Sequence, residues 1–260
     1  MLVCFDKQRV MKVFRKIRQN LFSKGQSYVY MKYAVGEVVL LVAGILIALW
    51  INSSYDAHVE KRVEKSILNK LLIDVESDFE QLNELELFYE GHLAYLNKVK
   101  TAFLKDQNDS IEYFLTNGYS GAGLQDVNPR KTTFDEMINS GKLYNLSNGS
   151  LTNLCIDYYE MFENNTYSVR QNRIEYRRVL YGPQMSDFWL LYLEIRELKD
   201  ANTNSSKLVK TFLANKDSDA FKTLKQTTYW GVILIEINIK RLLDIKTKNR
   251  ELYTMLSSQL

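Results

Sequence analysis

The run from Ala34 to Ile51, AVGEVVLLVAGILIALWI, limits what this chain can fold into more than any other stretch. It holds 18 residues and one charge, Glu37. At roughly 1.5 Å rise per residue, a helix of that length spans roughly 27 Å, close to a hydrocarbon core of about 30 Å. Tyr28, Tyr30 and Tyr33 precede it and Trp50 closes it, as interfacial aromatic belts require. Core helices of soluble proteins rarely stay apolar on every face for so long. No small-residue cleavage pattern follows; the sequence reads Trp50-Ile51-Asn52-Ser53-Ser54-Tyr55. The run also exceeds the core of an ordinary signal peptide. The expectation is an uncleaved signal anchor.

Charge orients it. Eight basic residues precede the run (Lys7, Arg9, Lys12, Arg15, Lys16, Arg18, Lys24 and Lys32), against the single acid Asp6. The 20 residues after Ile51 carry four, Lys61, Arg62, Lys65 and Lys70. The positive-inside rule places the N-terminus in the cytoplasm and everything after the span outside it. Residues 11–22 read as a short basic amphipathic helix, with Val13, Phe14, Ile17 and Leu21 near one face, suited to anionic headgroups. The charge alone would also suit a nucleic-acid arm, but the segment is short and lies against the span.

The rest of the chain reads as helical. It has 260 residues with only 11 Gly and 2 Pro, about 5% together against roughly 12% on average. Hydrophobic residues at 46% and charged residues at 25% exclude global disorder. After the span, Val59, Val63, Ile67, Leu71, Val75, Phe79 and Leu82 recur at helical spacing. Asp74, Glu76, Asp78 and Glu80 are assigned to the other faces. Leu85, Phe88, Leu93, Leu96, Val99 and Phe103 prolong the stripe. Residues 105–132 read as irregular, with one or two turns of helix at Ile111–Leu115. Thr133-Phe134-Asp135-Glu136 has the form of a capping box opening a short helix that stops near Ser140-Gly141. A helix starting within Ser147–Ser150 reaches Val179, with Leu154, Tyr158, Met161 and Phe162 as its apolar face, and Tyr181-Gly182-Pro183 ends it. Asp187–Leu198 is a short aromatic-rich segment and Asn202–Ser206 a polar loop. The last helix runs from about Asp219 to Leu256. Its apolar stretch Trp230–Ile239 is only ten residues long, so it reads as core and not as a second span.

Chemistry-bearing residues are sparse. His58 and His92 stand 34 residues apart on one helix, about 51 Å, and cannot share a metal. They read as exposed helix histidines. Cys4 and Cys155 fall on opposite sides of the span. Cys155, between Leu154 and Ile156, reads as a small buried hydrophobe. Gly141-Lys142 is followed by Leu143 and preceded by Glu136 where a phosphate loop needs Gly. Gly118, Gly121 and Gly123 have the wrong spacing for a dinucleotide loop. Asp106-x-Asn108-x-Ser110-x-Glu112 starts like a calcium loop but has Ile111 and Asn117 at its two diagnostic positions. Glu37 lies about 4.5 Å from the cytoplasmic boundary, within reach of Lys32 and headgroups. Gly44-x-x-x-Ala48 is a small-residue pair that lets two spans approach closely. No catalytic, cofactor-binding or metal-ligating residue is assigned.

Met11-Lys12-Val13-Phe14-Arg15-Lys16-Ile17-Arg18-Gln19, Tyr33-Ala34-Val35-Gly36-Glu37-Val38 and Gly44-Ile45-Leu46-Ile47-Ala48-Leu49-x-Ile51-Asn52 together resemble a family of uncharacterised single-span proteins of Bacteroidota, a domain of unknown function. Thr132–Glu136 with Ser140-Gly141-Lys142-Leu143 resembles its middle section. Trp50 stands where many members carry Gln. The resemblance implies a start at Met11 and brings no activity, cofactor or catalytic residue.

The expectation is therefore an all-α chain: a basic cytoplasmic segment at 1–33, a transmembrane helix at 34–52, and a helical periplasmic domain at 53–260 packed on a long stalk. The expected role is a non-catalytic membrane-anchored scaffold or interaction protein of the bacterial cell envelope, held in the inner membrane. Its expected partners are lipids and a second copy or another membrane protein, with no nucleic acid and no small-molecule ligand identifiable. The other class is a sensor or accessory subunit signalling through the continuous helix, although about 33 cytoplasmic residues leave no room for an output domain.

Overall fold

A computed structural model of the chain describes residues 27–198 and 205–260. The amphipathic segment expected at 11–22, the basic residues before Lys32 and Cys4 lie outside them, as do residues 202–204 of the expected polar loop. The chain divides into two units, Met1–Val63 and Glu64–Leu260. The described residues are mostly helical, with no strand among them.

Helix α1 spans Ser27–Leu104. Its portion in the first unit carries the apolar run. In this chain it is the one described helix long and apolar enough to cross a membrane, with a mean hydropathy of 2.5 over 18 residues and none of that window buried.

The second unit is an α-helical domain built around residues 64–104 of α1. The other helices are α2 (Asn108–Thr116), α3 (Thr132–Asn139), α4 (Gly149–Leu180), α5 (Ser186–Leu198), α6 (Ser205–Ala214) and α7 (Asp219–Gln259). The core positions on α1 are Leu68, Leu71, Val75, Asp78, Leu82, Leu85, Tyr89, Leu96, Val99 and Phe103, all buried. They follow alternating steps of three and four, the seven-residue repeat of helix packing, with His92 at the one remaining seam position. The stripe read from the sequence, at spacings of four and three, supplies the buried Ile67, Leu71, Val75, Leu82, Leu85, Leu96, Val99 and Phe103, while its run of fours from Val59 to Phe79 leaves the seam. A strict step of four drifts around a helix, so Phe79 ends half-buried at the margin while Asp78 turns inward. The buried part of the stripe is covered by the chain's own helices.

Side-chain caps open two of the helices. The Asn148 side chain accepts from the Ser150 and Leu151 amides at 3.0 and 3.3 Å, opening α4. Ser218 accepts from the Phe221 amide at 3.2 Å and opens α7. The capping box at Thr133 does not form. Lys131 is the N-cap of α3, and Thr133 lies inside the helix. The Thr133 amide is instead 3.4 Å from Asp74 Oδ2, and Glu136 faces Lys70 at 3.5 Å and Lys142 at 3.9 Å. A tertiary acceptor on α1 has taken the role of the local cap. Residues Asn108–Thr116 form a full helix with Ile111 and Leu115 buried, and Ser205-Ser206 begin α6 where a loop was expected. The apolar stretch Trp230–Ile239 lies within α7, with Val232, Leu234 and Ile235 in the core and Ile233 and Ile237 at its surface.

Candidate membrane and interaction surfaces

Two features stand out, an exposed apolar face on one unit and a buried polar network in the other. The first is the apolar face of α1. Val38, Leu40, Leu46, Leu49 and Trp50 are each more than half exposed. A helix exposing so much apolar area on all sides is far beyond the patch a monomeric soluble protein leaves in water. A side chain added at Gly44 would meet nothing within 4 Å, so the Gly44–Ala48 face is open to a neighbour. Glu37 is exposed at the start of the window.

The second feature belongs to the helical domain and is the buried network that holds residues 117–131, the strap. This segment has no helix or strand, yet Ala122, Leu124 and Val127 are buried. Its backbone polar groups need partners, and side chains from the surrounding helices supply them. Tyr89 Oη donates to the Gln125 carbonyl at 2.9 Å and accepts from the Gln125 amide at 3.2 Å. Tyr95 Oη accepts from the Ser120 amide, Tyr159 donates to the Arg130 carbonyl, and Thr166 donates to the Val127 carbonyl. His92 Nε2 donates to the Gly121 carbonyl. Arg173 pairs with Asp126 at 2.8 Å. Gly121 and Gly123 are required by space: a Cβ at Gly121 would stand 2.9 Å from Tyr176 Oη, and one at Gly123 would stand 2.8 Å from His92 Nε2 at a φ of +57°.

The centre of this arrangement is Asp78. It is 1% exposed. Its Oδ1 accepts from the Arg130 amide at 2.8 Å and its Oδ2 from Tyr158 Oη at 2.9 Å. Asn249 Nδ2 on α7 donates to both Tyr158 Oη and the Val75 carbonyl at 2.9 Å. One carboxylate thus joins α1, α4, α7 and the strap. Burial pushes the Asp78 carboxyl up to about 6, against the lowering effect of its two donors. Burial and the neighbouring Asp78 charge push the Tyr158 and Tyr159 hydroxyls well above the ordinary tyrosine range. Both hydroxyls are buried donors, Tyr158 to Asp78 and Tyr159 to the Arg130 carbonyl. The sequence pattern puts Asp78 outside the apolar stripe; the heptad spacing of its neighbours is the signal that places it inside.

The remaining sequence candidates are dispersed. Cys155 is fully buried and its thiol is pushed up to about 12 by desolvation, the state of an inert hydrophobe. His92 is not a plain exposed histidine: its ring stacks on Phe88 at 5.6 Å and binds the strap. His58 lies in the other unit. Gly141 takes a φ of +71° where α3 ends, its amide donating to the Ile138 carbonyl at 3.0 Å. Asp106 pairs with Lys216 at 3.0 Å, and Glu112 sits inside α2, so the calcium-like run is not a loop. Among the described residues no three His, Cys, Asp or Glu side chains are grouped to hold a metal ion.

Comparison with known families places residues 37–219 in the profile of a family of unknown function (DUF6090). No curated protein and no solved structure matches the chain.

Proposed function

The chain belongs to this family of unknown function, which matches more than two thirds of its length, and we propose that it is a membrane-anchored, non-catalytic interaction protein of the bacterial cell envelope. The observation that carries the reading is the apolar window of α1, uncovered on all faces, on the same helix whose later residues form the domain core. The 34–52 segment crosses the inner membrane, in a bacterium of the Bacteroidota if the resemblance of the N-terminal third is followed. Residues 1–33 lie in the cytoplasm, following the eight-to-one charge bias, and residues 53–260 lie in the periplasm. The buried stripe of α1 is already covered within the chain, so a second copy is needed only at the span, where Gly44 and Ala48 allow close approach.

The test is a pair of fusions after Leu260. Alkaline phosphatase there is expected to be active and green fluorescent protein dark. Fluorescence with no phosphatase activity reverses the orientation. Detergent-solubilised protein is expected to run as a dimer, weakened by Gly44→Ile with insertion intact. A wild-type protein that is monomeric at every concentration defeats the self-association.

A further inference from the structure

The backbone of the strap is held only from outside itself. Among residues 118–130 no amide or carbonyl forms a main-chain hydrogen bond. The Ser120, Gln125 and Arg130 amides donate to Tyr95, Tyr89 and Asp78. The Gly121, Gln125, Val127 and Arg130 carbonyls accept from His92, Tyr89, Thr166 and Tyr159. Every one of these partners is a side chain of α1 or α4. A helix keeps its own ladder of bonds when a neighbour leaves. The strap has no ladder, so its backbone is either docked or handed to water. Its apolar residues Ala122, Leu124 and Val127 lie between the Ser120 and Arg130 contacts and leave with them. The segment therefore opens as one unit, ahead of the helices beneath it.

Asp78 sits under the downstream end of the strap, and the groups around it do not balance its charge. On α1, Asp74 stands one turn earlier and adds like charge. From the strap, the Arg130 guanidinium attracts it but forms no ion pair with it among the described residues. Helix α4 presents the neutral hydroxyls of Tyr158 and Tyr159. Helix α7 presents the neutral Asn249 through Tyr158, while its cations Lys246 and Arg250 lie against Phe79. Closing the strap thus buries a carboxyl that has hydrogen bonds but no counter-ion, an arrangement that favours the protonated form.

We propose that the strap is a proton-controlled clasp, closed over α1 and α4 as a unit while Asp78 is protonated and loosened once Asp78 ionises. Opening hydrates the carboxyl, exposes the seats of Ala122, Leu124 and Val127, and frees the side chains of Tyr89, His92 and Tyr95. The direction follows from burial. The closed carboxyl is pushed up to about 6 against 3.8 for the free group, to which it returns when hydrated. The proton's support for closure is complete below 3.8 and is lost as pH rises through about 6.

The test is hydrogen exchange followed by mass spectrometry on full-length protein in detergent micelles, at about pH 5 and about pH 8, with rates corrected for the intrinsic pH dependence of exchange. Peptides covering 117–131 are expected to share one opening constant, larger than that of peptides from residues 85–103 of α1. That constant is expected to be about tenfold larger at about pH 8 than at about pH 5. Asp78→Asn is expected to remove the difference between the two pH values. Tyr158→Phe takes away a donor that lowers the Asp78 carboxyl, so it is expected to move the midpoint of the pH dependence upward; it decides the matter if Asp78→Asn does not fold. An opening constant equal at both pH values, or larger in acid, overturns the proposal. So does a strap that exchanges only together with α1. A pH dependence that survives in folded Asp78→Asn belongs to another group, such as His92, and overturns it as well.

Discussion

Replacing Tyr158 with Phe isolates the bond that ties α4 to the buried carboxylate of α1. The substitution removes one oxygen and leaves the ring in place. Asp78 Oδ2 loses a donor at 2.9 Å. Asn249 Nδ2 loses one acceptor but keeps the Val75 carbonyl. A hydrogen bond to a charged group contributes about 1.5–3 kcal/mol, and a neutral one about 0.5–1.5. The cost therefore depends on the charge of Asp78. Its carboxyl stands at about 6 in the folded chain against 3.8 for the free group. The sign follows: the stabilisation from protonating Asp78 is fully present below 3.8 and is lost as pH rises through about 6, about 3 kcal/mol in all. Above that range the Tyr158 hydroxyl serves a carboxylate, and its removal costs about 2 kcal/mol. Well below it the acceptor is a neutral acid, and the cost falls to about 1 kcal/mol. In a domain of this size that is a drop in Tm of about 4–8 °C at high pH and about 2–4 °C at low pH. Thermal unfolding of the full chain in micelles, followed by circular dichroism at about pH 4 and about pH 8, reads both. In an Asp78→Asn background the difference between the two pH values is expected to vanish. An equal loss at both pH values, or a larger loss in acid, refutes the reasoning.

Gly123→Ala is expected to destabilise the domain by at least the about 1–2 kcal/mol that a left-handed residue costs an L side chain, because its Cβ also meets the His92 ring; chemical denaturation measures it. Lys246→Met breaks the buried pair with Glu86 and the contact of Lys246 Nζ with Phe79 at 5.5 Å, and a loss of about 3 kcal/mol is expected, with Glu86→Gln in the same chain recovering part of it in a double-mutant cycle. In a Cys4→Ser variant, Cys155 is expected to resist alkylation at neutral pH until denaturant is added; labelling of the folded chain at the rate of a free thiol would contradict its burial and its raised pKa.

The sequence by itself determined the all-α class, the uncovered window at Ala34–Ile51, the start of α7 at Asp219, the end of α4 near Tyr181 and the hydrophobic burial of Cys155. Each depends on local information: the period of apolar residues, side chains that bond amides two or three residues away, or a run too apolar to interrupt. Only the tertiary structure decided that Asp78 points inward, that Thr133 forgoes its capping box for Asp74, and that an apparent loop at 117–131 is a strap packed too tightly for side chains at Gly121 and Gly123. The physical reason is common to all three. A buried polar group is satisfied by whatever donor or acceptor folding brings to it, and that partner lies on another element, where no spacing along the chain records the meeting.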